Sequence, residues 1–60
     1  MAYIFKYEKD NSLYTVVKEK DSPSPVYKMI PYKHEGEVLV FFLAIDIVWY
    51  FDIVGEVDAL

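Results

Sequence analysis

Large apolar side chains crowd into one stretch, Glu37 to Val54 (EVLVFFLAIDIVWYFDIV), which also holds the single Trp. Its residue types, Val, Ile, Phe, Tyr and Trp, suit a pleated, half-buried surface better than a helix. From Asp46 onward every acid falls on an even position, namely Asp46, Asp52, Glu56 and Asp58, as on a strand whose side chains alternate between faces. A helix over the same residues would set Asp46 and Asp52 roughly 120° apart and leave no dry stripe. One unbroken strand would span on the order of 55 Å, whereas a 60-residue globule has a radius of gyration near 10 Å. The run must therefore turn. A tight turn at Asp46 and Ile47 pairs Ala44 with Trp49, Phe42 with Phe51 and Val40 with Ile53, and makes one face wholly apolar. Ile47 lacks the positive-φ tolerance of Gly or Asn, so a longer or bulged loop fits as well. The alternative is a helix over about 38–51, which would make the fold α+β.

Upstream, the pattern is that of strands. Residues 2–9 (AYIFKYEK) put Tyr3, Phe5 and Tyr7 on one face and Ile4, Lys6 and Glu8 on the other. Asp10, Asn11 and Ser12 form a turn, since Asn accepts the left-handed conformation that a three-residue hairpin loop needs. That loop sets Lys9 opposite Leu13, Tyr7 opposite Thr15 and Phe5 opposite Val17. A second strand over 13–20 ends at Asp21, Ser22, Pro23, Ser24 and Pro25, whose prolines cannot donate ladder hydrogen bonds. This segment has the residue types of a Pro-rich ligand or of a Ser-Pro phosphorylation site at Ser22 or Ser24, but an extended connection between hairpins accounts for it. A third strand over 26–33 carries Pro31, which places it at an edge or a bulge. His34, Glu35, Gly36 and Glu37 turn the chain again, and Gly55 marks a strand end before a fraying tail. The expected fold is all-β: a single small domain over 1–60, built as an antiparallel five-stranded meander or an SH3-like barrel. Its expected core is Tyr3, Phe5, Leu13, Val17, Val40, Phe42, Ala44, Trp49, Phe51 and Ile53.

Size makes this core precarious. A chain of 60 residues buries only about 60% of its unfolded surface, and small domains usually need a disulfide, a metal or a partner. With no Cys there is neither disulfide nor zinc-thiolate site. A hydrophobic share of 55% exceeds what one such core can hide, so a homodimer or a larger assembly is expected.

Charge divides the chain. Residues 1–33 hold six Lys against Glu8, Asp10, Glu19 and Asp21, while residues 34–60 hold six acids and no Lys, for a total of -4. Arg is absent, and Arg is the preferred residue for bidentate phosphate and guanine contacts. Nucleic acid is thus a disfavoured partner. The run over 38–54 approaches the length of the shortest membrane span, but Asp46 and Asp52 inside it would each cost several kcal/mol in lipid by most scales, roughly 3 by the lowest. No basic region followed by an apolar run opens the chain, so a cytoplasmic protein without a membrane segment is expected.

Catalysis needs a nucleophile beside a base, or two converging carboxylates. The sequence supplies neither, and no catalytic residue, metal ligand or cofactor is assigned. His34 with Glu35 and Glu37 has the residue types of a weak metal or acid-base cluster, yet polar residues and Gly collect in any turn. A small barrel could stack bases on Tyr14 beside Lys6, Lys18 and Lys20, although the negative total opposes phosphate binding. The reading that uses most of the sequence is a non-enzymatic protein-protein interaction module. Its partner-binding residues are Asp46, Val48, Tyr50, Asp52, Glu56 and Asp58, acids mixed with apolar anchors on one expected strand face, and its partner is basic. Small acidic β proteins of viruses or mobile elements can present carboxylates where a nucleic-acid-binding host protein expects phosphates. An inhibitor acting as a nucleic-acid mimic is the expectation, with a homo-oligomeric structural module as the bland alternative.

Overall fold

The alternating segments of the N-terminal half become strands that pair in chain order, and the last strand returns beside the first. The computed structural model describes residues 2–19 and 25–58; Ser22 and Ser24 of the Pro-containing connection lie outside them. The elements are β1 (Ala2–Tyr7), β2 (Leu13–Glu19), β3 (Val26–Pro31), β4 (Leu39–Phe41), α1 (Ala44–Tyr50) and β5 (Phe51–Val57). One antiparallel sheet has the order β4-β3-β2-β1-β5. The protein is mostly β, with a single short helix among the described residues.

The register decides which side chains meet. Val16 pairs with Met29, which in turn pairs with Leu39; Phe5 pairs with Tyr14, Tyr7 with Phe51, and Tyr27 with Phe41. Strand alternation therefore gathers an aromatic-rich set on one face. Its buried centre is Tyr14, Met29, Ile47 and Phe51, flanked by Phe5, Tyr7, Val16, Tyr27, Leu39 and Phe41. A flat five-stranded sheet would hold its edge strands about 19 Å apart at the usual strand spacing. Yet the rings of Phe41 on β4 and Phe51 on β5 lie 5.8 Å apart. The sheet is thus curled around its aromatic face, and α1 links its two edges. No β4-β5 pairing is found among the described residues, so the curled sheet is partly open between its two edges, and the expected small antiparallel five-stranded β fold stands.

That topology overturns the hairpin expected at Asp46 and Ile47. Hairpin strands must be neighbours, whereas β4 pairs with β3 and β5 with β1 at opposite edges. A seven-residue helix, about 10 Å long, makes the link, so the alternative of a helix over 38–51 held in part, with strands on either side of it. Asp46 sits in the first turn, where a carboxylate complements the helix dipole. At the other end the N–H of Phe51 donates to the carbonyl of Ile47, and the N–H of Glu8 donates to the carbonyl of Tyr50 at 3.0 Å. The helix end is pinned to the turn after β1.

The β1-β2 register also differs from the expected one. Asn11 does adopt the left-handed region, at φ 64, but the connection is longer: the N–H of Asn11 donates to the carbonyl of Tyr7 at 2.7 Å, and the N–H of Tyr7 to the carbonyl of Ser12 at 2.8 Å. The N–H of Ser12 donates to Asp10 Oδ1 at 3.0 Å, and this hydrogen bond is the main reason the Asp10 carboxyl titrates below its ordinary value. Phe5 consequently faces Tyr14 and not Val17. A shift of three residues exchanges the two faces of β2, so Tyr14 and Val16 line the core in place of Leu13 and Val17.

The expected core is corrected accordingly. Phe51 is buried and Phe5 packs against it, but Tyr3, Val17, Val40, Phe42, Trp49 and Ile53 are exposed, as is Ala44. β3 is an inner strand and ends at Pro31. Pro31 lies beyond the overlap with β4, which covers only Tyr27 to Met29, so it removes no bond on that side. Gly55 does not end β5, which runs on to Val57.

Candidate protein-binding surface

Ile47 is the one buried residue of α1, and the rest of the helix follows from it. At about 100° per residue, Ile45, Val48 and Trp49 stand at the spacing of one helical face, opposite Ile47. That face is apolar and outward: Trp49 is 72% and Val48 70% exposed. Phe42 and Leu43, which lead into the helix, are exposed too, and so are Ile53 and Val54 just after it. Scattered exposed apolar residues are ordinary, whereas a run of them around one short element is the kind of surface that a protein partner or a membrane covers.

The six expected partner-binding residues do not share a face. Asp46, Val48 and Tyr50 belong to α1, where Asp46 and Tyr50 lie four residues apart on one flank and Val48 lies away from them. The Tyr50 ring leans on Phe41 at 6.1 Å. On β5 a register shift falls between Ile4 and Phe5: Ile4 pairs with Gly55 while Phe5 pairs with Ile53, so Val54 is the extra residue of a bulge. Past the bulge the faces exchange. Asp52 pairs with Lys6 and Glu56 with Tyr3, and Lys6 and Tyr3 point to opposite sides of β1. The even positions of β5 and its tail thus carry no single row of acids. Asp52 has an ammonium group as its cross-strand neighbour, whereas Glu56 has an exposed aromatic, Tyr3.

Tyr3 is the residue that sequence reasoning missed, because alternation alone placed it with Phe5 and Tyr7 in the core. The signal that would have found it is its position: near the end of β1, it faces the tail beyond the bulge, where the aromatic cluster no longer reaches. The base-stacking patch also dissolves. Tyr14 is buried in the core, and burial pushes its phenol above the ordinary value, so it offers no platform to a base. Lys18 instead lies over the Tyr27 ring at 6.0 Å, and Lys20 is outside the described residues.

His34 is held by the backbone. Nε2 lies 2.8 Å from the carbonyl oxygen of Leu13 and Nδ1 3.1 Å from that of Glu35, and the ring meets Tyr14 edge-on at 5.5 Å. It fastens the β3-β4 connection to β2. Among the described residues no group of three or more His, Cys, Asp or Glu is placed to hold a metal ion, and no helix is long and apolar enough to cross a membrane. No protein-family model, curated protein or solved structure matches this chain.

Proposed function

We propose that the protein is a non-enzymatic binding module that engages a basic protein, such as a nucleic-acid-binding host protein, through the acidic end of β5. Glu56 and Asp58, with Tyr3 beside Glu56, form the contact; Asp52, on the other side of the strand, and Asp46 and Tyr50, on α1, stay outside it. The observation that carries this reading is the edge position of β5, whose exposed acids stand beside an exposed aromatic. The other edge of the sheet has only the three residues of β4. Acids on an accessible edge draw a basic partner in and set the approach rate, and Tyr3 supplies the apolar contact that holds it. The carboxylates act as a cluster and not as a regular phosphate row, so mimicry of nucleic acid extends to charge and not to spacing. The same reading has the module work as a cytoplasmic homodimer, which hides the apolar surface around α1.

Affinity capture from the native host tests the partner. The wild-type chain should retain a basic protein that rising salt releases, and a chain carrying Glu56→Lys and Asp58→Lys should lose it. Retention of the same protein by the variant with unchanged salt dependence would overturn the acidic contact. Capture of nucleic acid in place of protein, abolished by Lys substitutions, would favour a nucleic-acid-binding function.

A further inference from the structure

We infer that the outward face of α1 and its flanks, Phe42, Leu43, Ile45, Val48, Trp49 and Ile53, is the contact between two copies of this chain, related by a two-fold axis. This rests on the self-association reading above and is independent of the basic-partner reading. Four observations select a second copy as the occupant.

The first is area. The six side chains are each more than half exposed, up to 72% for Trp49; taking roughly 200 Å² for a large apolar side chain, they offer on the order of 770 Å². One partner's share of a standard interface is about 800 Å². The second is surplus surface. The chain exposes 4586 Å², whereas a compact monomer of 7.1 kDa exposes about 4,100 Å². The chain thus exposes more surface than a closed globule of its mass.

The third is charge. Within residues 42–50 the only ionisable acid is Asp46 and there is no Lys, so two such faces meet with little repulsion although each chain carries -4 overall. A basic hetero-partner would find a single counter-charge here, Asp46. The fourth concerns the rival contact, pairing of β5 edges. The Val54 bulge interrupts the ladder of that edge, and the exposed Asp52, Glu56 and Asp58 stand around it; a bulge with charged neighbours is how edges resist pairing. The α1 face carries no such guard. Docking through it leaves both β5 ends free for the basic partner.

Sedimentation of the wild-type chain across the micromolar range, together with Val48→Glu, tests this. Val48 is outward, so the variant should keep the wild-type far-UV circular dichroism, while two opposed carboxylates should raise the dimer dissociation constant about thirtyfold, as expected for a central interface position. The native chain has no Cys, so mild oxidation of Val48→Cys and Val54→Cys reports which faces meet. A disulfide-linked dimer from Val48→Cys and not from Val54→Cys is expected. A wild-type dimer unaffected by Val48→Glu and linked only through Val54→Cys would overturn the α1 contact while keeping self-association. A wild-type monomer, whether free or bound to neutral phosphatidylcholine vesicles, would overturn both. Neither result touches the basic-partner reading, whose variants are Glu56→Lys and Asp58→Lys.

Discussion

The Phe51 ring stacks on Tyr7 at 4.8 Å and meets Tyr14, Phe41 and Phe5 edge-on at 5.5, 5.8 and 6.3 Å. Such pairs add to what burial alone contributes. Phe51→Ala should therefore cost about 3–5 kcal/mol, comparable with the whole stability of a 60-residue domain at roughly 0.05–0.15 kcal/mol per residue, and urea denaturation should find the variant largely unfolded. Trp49→Ala, made in the Val48→Glu chain to remove any partner, should change stability by no more than about 0.5 kcal/mol. Tyr14 gives a pH dependence of definite sign. Burial raises its phenol above the ordinary value, so the folded state holds that proton more tightly than the unfolded state. Its contribution is complete below the ordinary phenol value and is lost as pH rises through the folded one. Thermal unfolding scans on the alkaline side should show a shallower loss of stability in Tyr14→Phe than in the wild type. At this scale Phe51 and Phe5 were legible, since both lie on the apolar face of a strand. Trp49 was not, because residue type says that a Trp is apolar but not whether its own element has an inside left to fill.

At the scale of elements, the three N-terminal strands followed from alternation, and Asn11 from its tolerance of positive φ. Their registers did not, because a register depends on loop hydrogen bonds such as those of Tyr7, Asn11 and Ser12, and a small change in loop length exchanges the faces of a strand. The helix was the harder case. Its residues have high β propensity, but propensity yields to context, and here context is the need to link two edges of a curled sheet with one inward side chain, Ile47. The bulge at Val54 left no mark in the hydrophobic pattern. Beside it, Gly55 has no positive φ and a Cβ there would meet nothing within 4 Å, so Gly55 is not required by the backbone or by space. Gly55→Ala should stabilise the chain by about 0.5–1 kcal/mol through the lower entropy of its unfolded state, measurable as a raised urea midpoint with an unchanged slope.

The molecule as a whole is asymmetric in two ways, in charge and in where its apolar surface lies. The six Lys lie in residues 1–33 and the acids dominate residues 34–60, which was legible from the sequence. The split between an apolar face on α1 and an acidic end on β5 was not, since alternation placed Phe42, Trp49 and Ile53 in the core and joined Asp46, Val48, Tyr50, Asp52, Glu56 and Asp58 on one strand face. This most apolar run contributes only Ile47 and Phe51 to the buried core of its own chain, with Leu39 and Phe41 packed against it, and leaves Phe42, Leu43, Ile45, Val48, Trp49 and Ile53 exposed, the face proposed to meet a second copy. Acrylamide quenching of Trp49, the only Trp, over a dilution series measures this directly. Quenching should be weak at high protein concentration, where two copies would cover the ring. On dilution, quenching should rise to that of a solvent-exposed indole, with circular dichroism unchanged. A Trp49 protected at every concentration would place it inside its own chain and contradict the exposed helix face; one fully accessible at every concentration would contradict the pairing of that face.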